Sequence, residues 1–398
     1  AYEITGEEKY LDGAKEVLDY LQTYPRNPNY EALTDYAPYV AACLNARHGT
    51  NYDVGKFIDF IFDGDSAFRS GWAVMDANLG GYPAHGLVGQ RDDYAFAMNS
   101  MHLATTLVPL AKYDPRYASA IGRYVLNLVN NAKVFFPQQH SLAHQSMNSY
   151  LPFDTNGALV YEGFRNSYNS QTGYAMGDAT TMFGQPSDLS VYSSAFIGGL
   201  GAVVSETNVP AILRLDLNAT DSFGVNSYPS YLYHNPYNTD RIIKHVGPET
   251  PYDLFDAASQ SIVARDVSGT VNLTIPAGTS LVIRELRANA PLTNENGLIG
   301  LDGEVLGKAH AAVNMPNIVT RQELTSSSDI QIETSIPNDD EVVNMKISFG
   351  TIIAYEGTPL STYRYNKAQL PDTDYTLKIE IETAQGHYDY VTKRVVCR

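Results

Sequence analysis

Basic charge, cysteine, tryptophan and long apolar runs are all scarce in this chain of 398 residues. Lysine and arginine number 27 against 44 aspartates and glutamates, for a net charge of −17, which removes the clustered cations that nucleic-acid phosphates require. No nucleic-acid partner is expected. The two cysteines, Cys43 and Cys397, give neither a disulfide framework nor metal-ligand spacing; Cys43, inside a helical pattern, reads as a small buried hydrophobe. No apolar stretch approaches the ~18–20 residues of a membrane span. A phosphate-cradling glycine loop, a nucleophile elbow and a CxxC pair are also missing, so no cofactor is expected.

Tyrosine is what the chain has in excess, 29 residues beside 14 phenylalanines and a single tryptophan. A tyrosine offers a flat apolar face and a hydroxyl together, which suits sugar rings and ordinary helix or strand packing alike. An apolar share of 44% with 18% charged residues fits a folded protein, and the length implies two or three domains of about 100–200 residues each.

The first half is helical in pattern. Thr5-Gly6 reads as the end of one helix, so the chain reads as starting part-way through an architecture; Glu7 and Glu8 suit the N-terminus of the next. Leu11, Ala14, Val17, Leu18 and Leu21 fall at helical spacing before Pro25. Further helices are read through Tyr36–Leu44 up to Gly49, through Val54–Phe62, through Met98–Val108, and from Asp114-Pro115 through Val129. Between them, Gly71–Asp93 and Pro137–Asp188 read as long loops rich in Tyr, His, Asn and Asp, a composition that favours ordered, site-forming segments. Successive hairpins of this kind imply stacked antiparallel helices.

Near Val209 the period changes to two. Short alternating runs at 211–217, 230–234, 252–256, 261–265, 271–275 and 280–284 imply an antiparallel β-domain, followed by a polar connector from about Arg287. A last set of alternating strands after Pro316 reads as an immunoglobulin-like sandwich. The expected organisation is multidomain α plus β, with a helical domain over 1–208, an antiparallel β-domain with its connector over 209–315, and a β-sandwich over 316–398.

Several blocks carry a family resemblance. Ala1–Leu21, Gly86-Leu-Val-Gly89 with Tyr94-Ala-Phe-Ala-Met-Asn99, and Tyr231-Leu-Tyr-His-Asn-Pro-Tyr237 with Tyr252-Asp-Leu-Phe-Asp256 resemble the α/α-toroid carbohydrate-active enzymes, the group of six-hairpin glycosidases and heparinase-like lyases. The final module resembles bacterial immunoglobulin-like repeats through Asp374-Tyr-Thr-Leu377 and Thr383-Ala-Gln-Gly386. The resemblance implies α/α-toroid-like helical hairpins, a polysaccharide or oligosaccharide partner, cleavage of glycosidic bonds, and a secreted, periplasmic or cell-surface bacterial protein. A full toroid has about twelve helices where five or six are legible, so either the chain is a fragment or the helical layer is an open arc.

Glycoside hydrolysis uses two carboxyl groups flanking the scissile bond. The loop candidates are Asp76, Asp92, Asp93, Glu162, Asp178 and Asp188, with Glu162, Asp93 and Asp178 the first choices as catalytic residues. Asp93, just ahead of Tyr94-Ala-Phe-Ala-Met98, equally suits a helix N-cap, and Asp178 a turn. His85, Arg91, Tyr94, Asn99, Tyr168 and Tyr192 are the candidates for holding a sugar. Lyase chemistry instead needs a Tyr or His base and a group that neutralises a uronate, types that His85, Arg91, Asn99, His140, His144, Arg165, Tyr168 and Tyr192 supply. His140 and His144 have zinc-like spacing but lack the adjacent glutamate and follow Pro137, so no metal is expected. A glycan-binding protein without turnover is the competing reading.

Overall fold

The computed structural model describes residues 1–30, 32, 34–65, 67–69, 71–146, 152, 157, 159–177, 193–223, 228–295, 298–308, 329–333, 342–349, 352–366, 369–370, 375–383 and 388–395. The chain is mixed α plus β and divides into two compact units, 1–308 and 309–398. Asp178, Asp188, Tyr192 and Cys397 lie outside the described residues.

In the first unit, helix α1 (Tyr2–Thr5) ends at Gly6, whose φ of 68° is the left-handed turn expected of a glycine there. Helix α2 (Glu8–Thr23) is amphipathic and buries Leu11 and Leu18. Helix α3 (Ala37–His48) begins with a proline in its first turn and ends at left-handed Gly49. It buries Tyr39, Ala41, Ala42, Cys43 and Leu44, so both sides of it face protein. Burial pushes the Cys43 thiol up to about 12, which keeps it an inert hydrophobe. Helix α4 (Val54–Phe62) is capped by the Asp53 carboxylate on the Lys56 amide. Helices α5 (Ala97–Tyr113), α6 (Ala118–Asn131) and α7 (Ile197–Val203) follow among the described residues.

The segments read as loops contain most of a sheet. Strands β1 (Trp72–Val74), β2 (Asn78–Leu79), β3 (Tyr82–Pro83), β4 (Val88–Gln90), β5 (Tyr94–Phe96), β6 (Gly163–Tyr168) and β7 (Gln171–Met176) come from these stretches, except β5, which occupies the run expected to open a helix. Five of them form an antiparallel sheet in the order β1-β4-β5-β6-β7, and β2 pairs with β3 apart from it. Of these, β1 to β5 have two or three residues, too short to display an alternating pattern, which is why the sequence concealed them.

The β-part of this unit shares its core with the helices. Along Ser280–Arg287, Val282 and Leu286 join the helical core while Ile283 joins a second core with Tyr233, Ile243 and Leu254, the division that a period of two imposes on a strand covered on both faces. Its neighbours make a sheet of six strands, backed by the antiparallel pair of Arg241–Val246 with Thr270–Ile275. Helix α6 approaches so closely that a Cβ on Gly122 would lie 2.3 Å from that of His234.

A buried charge cluster joins the two parts. The Lys112 ammonium of α5 lies 2.8 Å from Asp221, which also accepts hydrogen bonds from Tyr39 and Tyr113. Arg284, fully buried, donates to Glu304 and to the Lys112 carbonyl.

In the second unit, Val342–Phe349 and Tyr375–Thr383 are the central strands of a four-stranded antiparallel sheet, flanked by Ile352–Gly357 and Tyr388–Val395. The pair Asp329–Glu333 and Thr362–Asn366 contributes Ile330 and Ile332 to the same core as Met345, Ile347 and Phe349.

Candidate active site in the first unit

An open cleft of about 280 Å³ lies at the five-stranded sheet, lined by Tyr30, Arg69, Trp72, Gln90, Asp93, Tyr94, Phe96, Glu162 and Arg165. The sheet register explains most of that set. Trp72 pairs with Gln90, Gln90 with Tyr94, and Tyr94 with Arg165, and residues directly opposite one another across strands share a face. Phe96 stands two residues along β5 from Tyr94 and so shares its face.

Glu162 enters from the residue preceding β6. Its backbone is fixed at both ends: the Ala97 amide donates to its carbonyl at 2.7 Å, and its own amide donates to the Gly177 carbonyl at 3.0 Å. Gly177 has φ +78°, and a Cβ there would come within 3.3 Å of Glu162 Oε2, so the glycine provides both the turn and the space for the carboxylate. The Tyr94 hydroxyl donates to Glu162 Oε1 at 3.0 Å. Burial, reinforced by the Glu162 charge, raises the Tyr94 phenol well above its ordinary value, so it remains protonated at neutral pH.

Asp93 does not cap a helix. Strand β5 intervenes, α5 begins only at Ala97, and its N-cap position is Phe96. The Asp93 amide closes the turn onto Gln90 and its carbonyl accepts from Asn166, which directs the carboxylate to Arg165 at 3.2 Å. The Arg165 guanidinium lies 4.7 Å from the centre of the Tyr94 ring. The opposite wall is aromatic. Tyr30 meets Trp72 edge-on at 5.3 Å, and the Arg69 guanidinium lies 4.3 Å from the Tyr30 ring and 4.9 Å from that of Trp72. The turn carrying Tyr30 is held to the Arg69 loop by the Asn27 side chain on the Asp63 carbonyl and by the Phe68 amide on the Asn27 carbonyl.

Comparison with known proteins adds little to this geometry. No protein-family profile matches the chain, and no curated protein matches it. Among solved structures, a GH127 β-arabinofuranosidase is similar at 13% identity and a TM-score of 0.28 over 99% of this chain. The chain spans 63% of that enzyme's length. The fibronectin(III)-like modules of Clostridium thermocellum CbhA are similar at 6% identity and a TM-score of 0.16, over 41% of this chain and 88% of theirs. Scores of this size do not define a shared fold.

Of the residues proposed from sequence, Glu162, Asp93, Tyr94 and Arg165 line the cleft together. The others that can be placed are not among its lining residues. Arg91 is paired with Asp65 at 2.7 Å, and His85 is exposed on a turn whose carbonyl receives the Asn131 side chain. Asn99 is 0% exposed within α5. Tyr168 packs on Tyr174 at the far end of the sheet. His140 and His144 sit in separate short turns, each ring bonded to a backbone carbonyl. Sequence reading missed Tyr30, Arg69, Trp72, Gln90 and Phe96. A usable signal was present in the single tryptophan, which follows Gly71 inside an aromatic-rich segment.

Proposed function

We propose that the first unit binds a glycan in this cleft and cleaves a glycosidic bond by hydrolysis. The observation that carries the reading is the meeting of two carboxyl groups, Glu162 and Asp93, with a tyrosine, an arginine and an aromatic wall in one open cleft. Aromatic faces hold the apolar side of a sugar ring, and charged groups at the edge take its hydroxyls. In this reading Glu162, the less exposed of the two acids, protonates the leaving oxygen. Asp93 acts as the ionised partner, with Arg165 orienting it.

Tyr94 is disfavoured as the base of an elimination, because its phenol is raised and donates to Glu162. A glycan-binding protein without turnover is the second reading. In its favour, each carboxyl group already has a side-chain partner inside the cleft. The finer architecture belongs to the same proposal: a toroid-like arc over 1–208, a β-domain over 209–315, an immunoglobulin-like module over 316–398, and a location outside the bacterial cytoplasm.

The test is a panel of polysaccharides and oligosaccharides, scored for new reducing ends, for near-ultraviolet absorbance and for binding. Hydrolysis predicts reducing ends without new absorbance, and Glu162→Gln should lower turnover at least ~100-fold, the scale of general acid catalysis, while binding persists. Unsaturated products would replace hydrolysis with lyase chemistry. Binding with no turnover in the unaltered protein would leave the second reading.

A further inference from the structure

Three of the charged groups in the cleft have polar partners there. Asp93 faces Arg165 at 3.2 Å, and Glu162 accepts the Tyr94 hydroxyl at 3.0 Å. Arg69 differs from them. Among the described residues its guanidinium meets no carboxylate and no hydrogen-bond acceptor, and its contacts are the rings of Tyr30 at 4.3 Å and Trp72 at 4.9 Å. A guanidinium held by aromatic rings keeps its N–H donors for a further partner, and Arg69 is exposed where it lines the cleft. Its turn is also pinned on three sides. The Trp72 amide donates to the Arg69 carbonyl at 3.0 Å, the Arg91 amide to the Gly71 carbonyl at 2.8 Å, and the Phe68 amide to the Asn27 carbonyl at 2.7 Å.

The adjoining residue repeats the arrangement. Phe68 is 67% exposed and has the Arg26 guanidinium 5.0 Å from its ring, again with no carboxylate partner among the described residues. In a chain with a net charge of −17, arginines without a counter-ion on one turn run against the overall balance. Protonation of Glu162, which its role as the acid requires, leaves the cleft with the guanidinium groups of Arg69 and Arg165 against the single carboxylate of Asp93. Since Asp93 faces Arg165, the uncompensated charge sits on Arg69.

We propose that Arg69 selects an anionic sugar, and that the ligand of the cleft is an acidic oligosaccharide whose carboxylate or sulfate is held by the Arg69 guanidinium. A carboxylate matches that fork with two parallel N–H···O bonds, and a sulfate offers the same pair of oxygens. The inference rests on the carbohydrate reading of the cleft and adds to it the charge of the substrate. Arg69 is a specificity-determining residue in this scheme and takes no part in bond cleavage.

The test compares ligands that differ in charge alone. Oligogalacturonides are set against their methyl esters, and sulfated chondroitin oligosaccharides against desulfated ones, with neutral cello- and xylo-oligosaccharides beside them. Binding to the whole protein is measured by calorimetry, and Trp72, the sole tryptophan, reports by fluorescence on events beside Arg69. The charged member of at least one pair should bind about tenfold more tightly than its partner, the low end for a hydrogen bond to a charged group, and the preference should shrink as salt is added. Which pair shows it identifies carboxylate or sulfate. Arg69→Gln should abolish the preference while the less charged member binds as before and the melting temperature is unchanged; Arg69→Lys, with the charge but not the fork, should keep part of it. Equal binding within both pairs, or a preference that survives Arg69→Gln, overturns the assignment and leaves the carbohydrate reading of the cleft standing. Absence of binding by every ligand overturns both.

Discussion

Tyr94 has contacts of two kinds, a hydroxyl bonded to Glu162 and a ring face under Arg165. The first bears on chemistry and the second on position. Tyr94→Phe keeps the ring and removes the hydroxyl, so the glycan should bind about as well while turnover falls. A hydrogen bond to a charged partner is worth roughly 1.5–3 kcal/mol, which corresponds to about 10–100-fold in rate. The effect should appear in kcat, not in KM, because it acts on the acid and not on the sugar; a change confined to KM would move Tyr94 from chemistry to binding. At this scale the sequence was informative about residue type. A glutamate flanked by Tyr161 and Gly163, and an aspartate ahead of an aromatic run, were the right kinds of residue to suspect. It was uninformative about the aromatic wall, since Tyr30 and Trp72 are 42 positions apart in sequence and meet only through the turn held by Asn27.

Among the elements, the site depends on the short strands and on the glycines that let them approach. A Cβ on Gly163 would fall 2.1–2.3 Å from two ring atoms and the hydroxyl oxygen of Tyr94, so Tyr94 reaches Glu162 only because position 163 has no side chain. Gly163→Ala should displace the ring, break its bond to Glu162 and reduce turnover more than Tyr94→Phe does. The cost in stability should be about 1–3 kcal/mol, typical of overpacking, measurable as a lower melting temperature. Wild-type turnover and stability in Gly163→Ala would refute the geometry. The long helices were legible for an equally local reason. Leu11, Ala14, Leu18 and Leu21 repeat at helical spacing, and Gly6 and Gly49 mark their stops. Strands of three residues show no period, so β1 and β4 were read as loop and β5 as the start of a helix, and their pairing is decided by partners as much as 71 residues away, as Tyr94 and Arg165 show.

For the molecule as a whole, the titration of buried groups sets how the first unit responds to acid. Burial pushes His140 and His234 below the ordinary histidine value. The folded form of each therefore binds fewer protons than the unfolded form once pH falls below about 6.5, and stability declines from there downward. Asp221 acts in a lower window. Burial alone would raise its carboxyl, but the Lys112 ammonium and the bonds from Tyr39 and the Phe223 amide outweigh that and hold it below the ordinary value of 3.8. Its contribution is fully present above about pH 4 and is lost as pH falls toward the depressed value. The melting temperature of the first unit should thus fall gently below pH ~6.5 and steeply below ~4. Asp221→Asn should remove the steep phase and lower stability at neutral pH by about 3 kcal/mol, because Lys112, 1% exposed, would lose its nearer carboxylate and keep the more distant Glu304 at 3.9 Å. A variant that keeps the steep acid transition would show that the carboxylates responsible lie outside this cluster, and that the joint between the helices and the β-part is held by packing.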